Sequence, residues 1–282
     1  MTDHRSPITD HQKQGRGTLE LSLVAGRTVV TRAEAHSPFK WLLPRRSTSA
    51  AWAFASTFGG GLVAGDRIDM EVGVREGARA VLATQSSTKV YRSPSGATCQ
   101  QILNATVESD ALFVVAPDPV TCFAGARYEQ RQIIRLAPDA TLIYVDWLTS
   151  GRRARGEIWA FSKYQTRLDV YRDGERLLTD SLLLDPHDGP LDSPFRMGRF
   201  HCCAVMVMSG PRSEDASNAL LDEVGNRPIE PDSEVIDSAS PLKSGAIWRV
   251  AGQTTEQVAR RLKDRLEFLK PTLGESPWGR KW

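Results

Sequence analysis

Cysteine and histidine are scarce in this chain. Its 282 residues hold four of the first and five of the second. Cys99, Cys122, Cys202 and Cys203 include an adjacent pair, and adjacent cysteines rarely bridge each other. A disulfide framework is therefore not expected, and a reducing, cytoplasmic setting fits. The histidines, His4, His11, His36, His187 and His201, make no His-Glu-x-x-His or facial-triad spacing, and the cysteines make no Cys-x-x-Cys, so the usual tight metal sites are not expected. No apolar run approaches the roughly 20 residues of a spanning helix. The first 17 residues are polar and read as a mobile segment rather than a secretory signal. A formal net charge of +2 supplies no drive toward nucleic acid or an anionic membrane, and neither is expected as a partner.

What is present is strand patterning. Ile68, Met70, Val72 and Val74 alternate with Asp69, Glu71, Gly73 and Arg75, so one face is buried and one is wet. Glu76-Gly77 supplies a turn, and Ala78 to Ala83 reads as a second, more buried strand. The two together predict a hairpin. Gly59-Gly60-Gly61 marks a tight bend or a close backbone approach ahead of it. Further strands are predicted around Leu19 to Leu23, Trp52 to Phe58, Ile102 to Val107, Leu112 to Val115, Tyr128 to Leu136, Thr141 to Trp147, Glu157 to Phe161, Arg167 to Tyr171 and Arg199 to Met208.

Helices are predicted only near the end. One is capped by Ser213 and stopped by Gly225. The other runs from Thr254 to Lys270 with a Thr254–Gln257 capping box, an apolar stripe of Val258, Leu262, Leu266 and Leu269, and Pro271 as its stop. Strands recur without a convincing linker, so residues 18–282 read as one mainly β domain of many meandering strands.

Catalytic constellations are few. The triple glycine lacks the Gly-Lys-Ser/Thr ending of a phosphate-binding loop and opens no helix, so it reads as a bend and the chain as no nucleotide hydrolase. Ser86-Ser87-Thr88-Lys89 is formally an S-x-x-K motif, and Lys243-Ser244-Gly245 follows later, an echo of serine acylases. The catalytic version opens a long helix on the serine. Here Pro94-Ser95-Gly96 ends any helix early, and no Ser-Asp-Asn lies between the motifs. In a strand at His201-Cys202-Cys203, His201 and Cys203 share a face. They are weak candidates for a borderline ion such as nickel, against the plainer reading of core residues. Arg152, Arg153 and Arg155 form a basic cluster, either a solvated face or a docking patch. Trp278-Gly279-Arg280-Lys281-Trp282 looks like an exposed aromatic and basic tail. Trp278, Arg280 and Trp282 are the residue types that anchor interfaces, although simple packing is the alternative.

Several ordered blocks resemble one family. Gly59-Gly60-Gly61-Leu62-Val63-Ala64-Gly65-Asp66 leads into the two strands, then Thr84-Gln85-Ser86-Ser87-Thr88-Lys89-Val90-Tyr91-Arg92 follows. Pro117-Asp118-Pro119-Val120, Phe123-Ala124-Gly125-Ala126-Arg127-Tyr128, Ser150-Gly151-Arg152 and Arg155-Gly156-Glu157 continue the match. The chain is similar in these blocks to the urease accessory proteins called UreD or UreH. The resemblance runs from about Leu19 to the end. Ala64 and Ser86-Ser87 depart from it, small residue for small.

The resemblance implies a non-enzymatic scaffold with a mainly β, roughly superhelical stack of strands and two helices near its C-terminus. It implies binding to apo-urease and to the accessory protein UreF, with the GTPase UreG docking through UreF. It also implies nickel in transit along an internal polar route, with no cofactor held tightly. A cation in transit wants weak, exchangeable oxygen ligands. Asp66, Thr84, Gln85, Lys89 and Glu157 are polar groups on or beside apparently buried strands, and they are the candidates for that route. The plainer reading of each is buried hydrogen bonding, with Asp66 and Glu157 capping turns.

Overall fold

The computed structural model describes residues 14–44, 48–230 and 232–278. Among these residues, seventeen strands build two sheets. In chain order they are β1 (Gln14–Val24), β2 (Arg27–His36), β3 (Phe39–Leu42), β4 (Ala51–Thr57), β5 (Arg67–Val74), β6 (Arg79–Thr84), β7 (Thr88–Val90), β8 (Cys99–Val107), β9 (Leu112–Val115) and β10 (Val120–Cys122). After these come β11 (Arg127–Leu136), β12 (Thr141–Thr149), β13 (Lys163–Arg172), β14 (Glu175–Leu184), β15 (Cys202–Ser209), β16 (Val235–Leu242) and β17 (Gly245–Gly252). The first strand begins inside the segment expected to lie ahead of the domain.

One sheet has seven strands in the order β14-β13-β11-β8-β5-β1-β2. The other has ten, with β16-β17-β15-β12-β9-β6-β4-β3 as its main path and β7 and β10 attached beside β12. Successive strands alternate between the sheets. β5 crosses to β6, β8 to β9 and β11 to β12, and each new coil lies beside the last. Within each sheet the stacked strands therefore run parallel: β1, β5, β8, β11 and β13 in one, and β4, β6, β9 and β12 in the other. Antiparallel strands close both ends of the stack. This is the mainly β, solenoid-like arrangement with C-terminal helices that the resemblance implies.

The predicted β5–β6 hairpin is not formed. Glu76-Gly77 turns the chain from one sheet into the other, so β5 pairs with β1 and β8 while β6 pairs with β4 and β9. Period-two alternation reports one wet face and is silent on which strand lies alongside. The corners stack instead: Gly77 N–H donates to Ser109 O at 2.9 Å, and the Ser109 hydroxyl donates to the Asp139 carboxylate at 2.8 Å.

Two cores result. Between the sheets lie Leu19, Ile68, Met70, Leu103, Phe113, Tyr128, Ile134, Leu142, Tyr144 and Tyr164. Behind the ten-stranded sheet, Val81, Leu112, Ile143, Val145, Met206 and Trp248 pack against the helices through Leu220, Val258, Leu262, Leu266, Leu269 and Leu273. Strand β12 is buried along its whole length because both its faces are covered.

The helices are α1 (Glu214–Gly225), α2 (Thr255–Leu266) and, after a single 3₁₀ turn, α3 (Lys270–Leu273). The α2 capping box forms as predicted, with Thr254 Oγ1 accepting from Gln257 N–H and Gln257 Oε1 from Thr254 N–H. Pro271 does not stop the helical run. It sits in the first turn of α3, where its missing N–H has no intrahelical role. Ser213 precedes α1, but its hydroxyl turns back to donate to Gly210 O, and Gly225 is the last helical residue rather than the stop. The strand predicted over Glu157 to Phe161 is irregular chain.

Candidate functional site

The gap between the two sheets is not packed solid. Below the triple-glycine turn, a cavity of about 90 Å³ is lined by Ser56, Thr57, Gly60, Gly61, Thr84, Gln85 and Thr88 among others. It shares Ala55, Thr84, Thr88 and Gln101 with an inner cavity of about 50 Å³. That inner cavity shares Asp146 with a larger cleft of about 530 Å³ between β13 and β14 on one side and β12, β15, β16 and β17 on the other. A single water needs roughly 10–15 Å³, so even the smallest of the three has room for water.

Strand parity puts polar groups into this space. On β11, Gln130 and Gln132 stand on the same side as buried Tyr128, Ile134 and Leu136. On β12, Asp146 shares the inward side with Leu142, Tyr144 and Leu148. Parallel register then places Gln130 beside Gln101 of β8 and Thr166 of β13. The groups hold one another. The Tyr128 hydroxyl donates to Gln130 Oε1 at 2.8 Å and lies 3.1 Å from Gln101 Oε1. Across the gap, the Thr166 hydroxyl donates to Asp146 Oδ2 at 2.9 Å.

Burial pushes the Asp146 carboxyl above its usual range, against the opposing pull of hydrogen bonds from Thr166 and Gln130. Burial likewise raises the phenols of Tyr128, Tyr144 and Tyr164, with the Asp146 charge adding to it. Two buried polar atoms facing these spaces have no hydrogen-bond partner within the chain, Gln132 Oε1 in the inner cavity and the Tyr164 hydroxyl in the cleft. Buried polar atoms are normally satisfied, and water or cargo is what such a space offers them.

The sequence candidates fall into two groups. Thr84 and Gln85 line the cavities. Thr84 accepts from Asp118 N–H at 2.8 Å and its hydroxyl donates to Asp118 Oδ2 at 3.2 Å, while Gln85 Oε1 accepts from the Ser56 hydroxyl at 2.7 Å. Asp66, Lys89 and Glu157 line none of the three. Asp66 closes its own turn, with Oδ2 accepting from Val63 N–H at 3.0 Å. Lys89 is exposed on β7. Glu157 is engaged by Arg152 and by Ala124 N–H, and Arg152 in turn lies 4.0 Å over the Phe123 ring. The guanidinium of Arg152 holds the Glu157 carboxyl below its usual range. Glu157 thus pins a loop, the plainer of its two readings.

Of the basic cluster, Arg153 donates to Gln253 O at 3.1 Å and Arg155 is exposed beside it in a 3₁₀ turn. Trp278 is no exposed anchor. It is buried against Trp147, and its indole donates to Ala116 O at 3.0 Å. Arg280 and Trp282 lie outside the described residues. Cys203 lines the cleft, where burial and the Asp146 charge push its thiol up to about 12. His201 lies at the end of the same face and lines none of the three cavities. Among the described residues, no group of three or more His, Cys, Asp and Glu side chains is placed to hold a metal ion. Ser86 and Lys89 sit in a bend and a strand rather than one helical turn apart, so the lysine of the S-x-x-K echo has no helical path to the serine.

The residues that sequence reasoning missed are Gln101, Gln130, Gln132, Asp146 and Thr166. Their signal was available: each is a polar residue at the inward parity of a strand whose inward positions are mostly apolar.

The model of the family described as UreD urease accessory protein matches residues 13–282. The chain belongs to that family. It is 49% identical over 271 residues to the urease accessory protein UreD of Sorangium cellulosum, covering 96% of this chain and 85% of the relative. It is 36% identical to the urease accessory protein D of Arabidopsis thaliana, covering 93% and 99%, and 36% identical to that of Oryza sativa subsp. indica, covering 93% and 94%. The family is one of accessory proteins in urease maturation and not of enzymes. No helix among the described residues is long and apolar enough to cross a membrane.

Proposed function

We propose that this chain is a cytoplasmic scaffold for urease maturation, binding apo-urease and a UreF-type partner through which a UreG-type GTPase docks, and that nickel in transit crosses it between the sheets. The route runs from the cavity at Gln85 and Thr84, past Gln101 and Gln130, to Asp146 and out through the cleft. One observation carries this reading: three adjoining cavities share lining residues, and the inner cavity and the cleft each hold a buried polar atom with no partner inside the chain. A structural core would fill that space with apolar side chains. Among its apolar residues the lining carries amides, hydroxyls and carboxylates, Asp146 and Asp180 among them. These are oxygen donors that exchange a borderline dication readily and do not close around it. The family supplies the urease context.

The test is urease activation in cells co-expressing the urease, the accessory partners and this chain, with nickel measured in the purified urease. Removal of the chain leaves urease nickel-poor and inactive. Asp146→Leu, which keeps the branch at Cγ and removes the oxygen donors, leaves the complex co-purifying and lowers urease nickel. Fully loaded urease in the absence of the chain would overturn the maturation role. Normal loading by Asp146→Leu in an intact complex would overturn the passage alone.

A further inference from the structure

Arg249 is the one cationic side chain among the described residues lining the three cavities. It stands on β17 of the ten-stranded sheet, opposite Val205 of β15 and Ser238 of β16. Its guanidinium donates to Asp180 Oδ1 on β14 of the seven-stranded sheet, so the ion pair spans the cleft from one sheet to the other. The Asp180 side chain is only 15% exposed, and that of Arg249 is half exposed. Asp180 and Asp146 both line this cleft, with the Thr166 hydroxyl beside them. A fully buried phenol, that of Tyr164, lines the same space with no hydrogen-bond partner.

We propose that Arg249 is a built-in counter-cation: its guanidinium holds Asp180 and so keeps the inner carboxylates, Asp146 and Asp180, a weak and exchangeable station for a divalent cation. This rests on the passage reading and adds what sets the affinity along it. The affinity of an oxygen site for a hard or borderline dication rises with the number of charged ligands it brings. Two inward carboxylates with an orphan phenol beside them would hold such an ion and stall it. A guanidinium already seated on one of them lowers the effective charge, and the ion must compete with it. The half-exposed position of Arg249 lets it swing toward solvent when displaced, while Asp180 stays in the wall. Asp146 and Asp180 stand on different sheets and line the same cleft.

The experiment is equilibrium dialysis of the purified full chain against Ni²⁺ alone, at fixed pH and salt. Arg249→Gln binds Ni²⁺ at least about tenfold more tightly than the parent, the effect of removing one opposing charge at close range. Arg249→Met, which keeps the aliphatic packing, shows the same gain, and Arg249→Lys, which keeps the charge, stays within about threefold of the parent. Arg249→Gln combined with Asp180→Asn returns to parental affinity. Unchanged affinity in both Arg249→Gln and Arg249→Met, or a gain that survives Asp180→Asn, would overturn the proposal. The urease-loading assay with Asp146→Leu tests the passage without touching Arg249, so the two readings fail separately.

Discussion

Thr166 and Asp146 meet across the space between the sheets, a hydroxyl on β13 donating to a carboxylate on β12 at 2.9 Å. The contact ties the two layers together where their apolar packing is interrupted. It also keeps an ionisable group in a place that disfavours its charge.

That position has a consequence for stability. The folded-state pKa of Asp146 is raised, so the native protein holds its proton where the unfolded chain has released it. The stability penalty is absent below the unfolded carboxyl range, near pH 4, and grows as pH rises toward the folded value. Asp146→Asn keeps an acceptor for Thr166 and removes the ionisation. It raises stability at pH 8 by on the order of 1 kcal/mol, and by less at pH 5. Urea denaturation at the two pH values checks this. A gain independent of pH would show that Asp146 is not held protonated by its surroundings.

Glu157 carries the opposite sign. Its carboxyl is held low, first by the hydrogen bond from Arg152, so its contribution is present above about pH 4.3 and fades as pH falls through the folded value. Glu157→Gln loosens the loop that Arg152, Phe123 and Ala124 share with it. The amide of Ala124, which donates to Glu157 at 3.1 Å, then exchanges faster with solvent. Urease nickel loading stays at the parental level, because Glu157 lines none of the cavities. Reduced loading with the complex intact would place Glu157 on the route after all.

Trp278 belongs to the second core. Trp147 and Trp278 donate to consecutive carbonyls, Pro117 O at 2.9 Å and Ala116 O at 3.0 Å. The loop they hold presents Asp118 to Thr84 and the inner cavity. Trp278→Ala costs about 3–5 kcal/mol through the void it leaves. Trp278→Phe keeps much of the packing and costs less, mostly the roughly 1–3 kcal/mol of an orphaned carbonyl. Equilibrium unfolding ranks the two. A Trp278→Ala chain within about 0.5 kcal/mol of the parent would mean that the tryptophan is not packed as described.

Much of this architecture was legible in the sequence because half-buried strands alternate. Tyr128 to Leu136 reads as a strand and is one, and the capping box at Thr254 and Gln257 forms as written. The connectivity was not legible, since alternation in β5 is the same whether its neighbour is a hairpin partner or the next coil of a stack. Strands β2 and β14 escaped because edge strands carry charge and break the alternation. The predicted strand over Glu157 to Phe161 failed because Glu157 is tied to Arg152 and Trp159 takes a positive φ. The site was the least legible part. Acids beside glycine turns are conspicuous in the sequence, yet Asp66 closes its own turn and Glu157 ties Arg152 to Ala124. Asp146 does face the interior, a single charge inside the apolar run Leu142 to Leu148, where only its parity betrays it.

The triple-glycine turn separates two physical reasons for glycine. A Cβ on Gly61 would lie 2.6 Å from Lys89 O and 2.7 Å from the Tyr91 ring, closer than any relaxed contact, with a backbone atom of β7 in the way. Gly59 has open space around it but a φ of +91°, so only conformational strain opposes a side chain there. Gly61→Ala must therefore displace the segment Lys89–Tyr91 and costs about 1–3 kcal/mol. Gly59→Ala costs about 1 kcal/mol, through backbone strain alone. The two also part in their reach. Gly61 lines the outer cavity and its displacement pushes on β7, which carries Thr88 into both outer and inner cavities. Gly61→Ala accordingly lowers urease nickel loading in the co-expression assay, while Gly59→Ala leaves it at the parental level. Equal losses of stability in the two variants would mean that the turn, and not the contact with Lys89, sets the requirement for glycine at position 61.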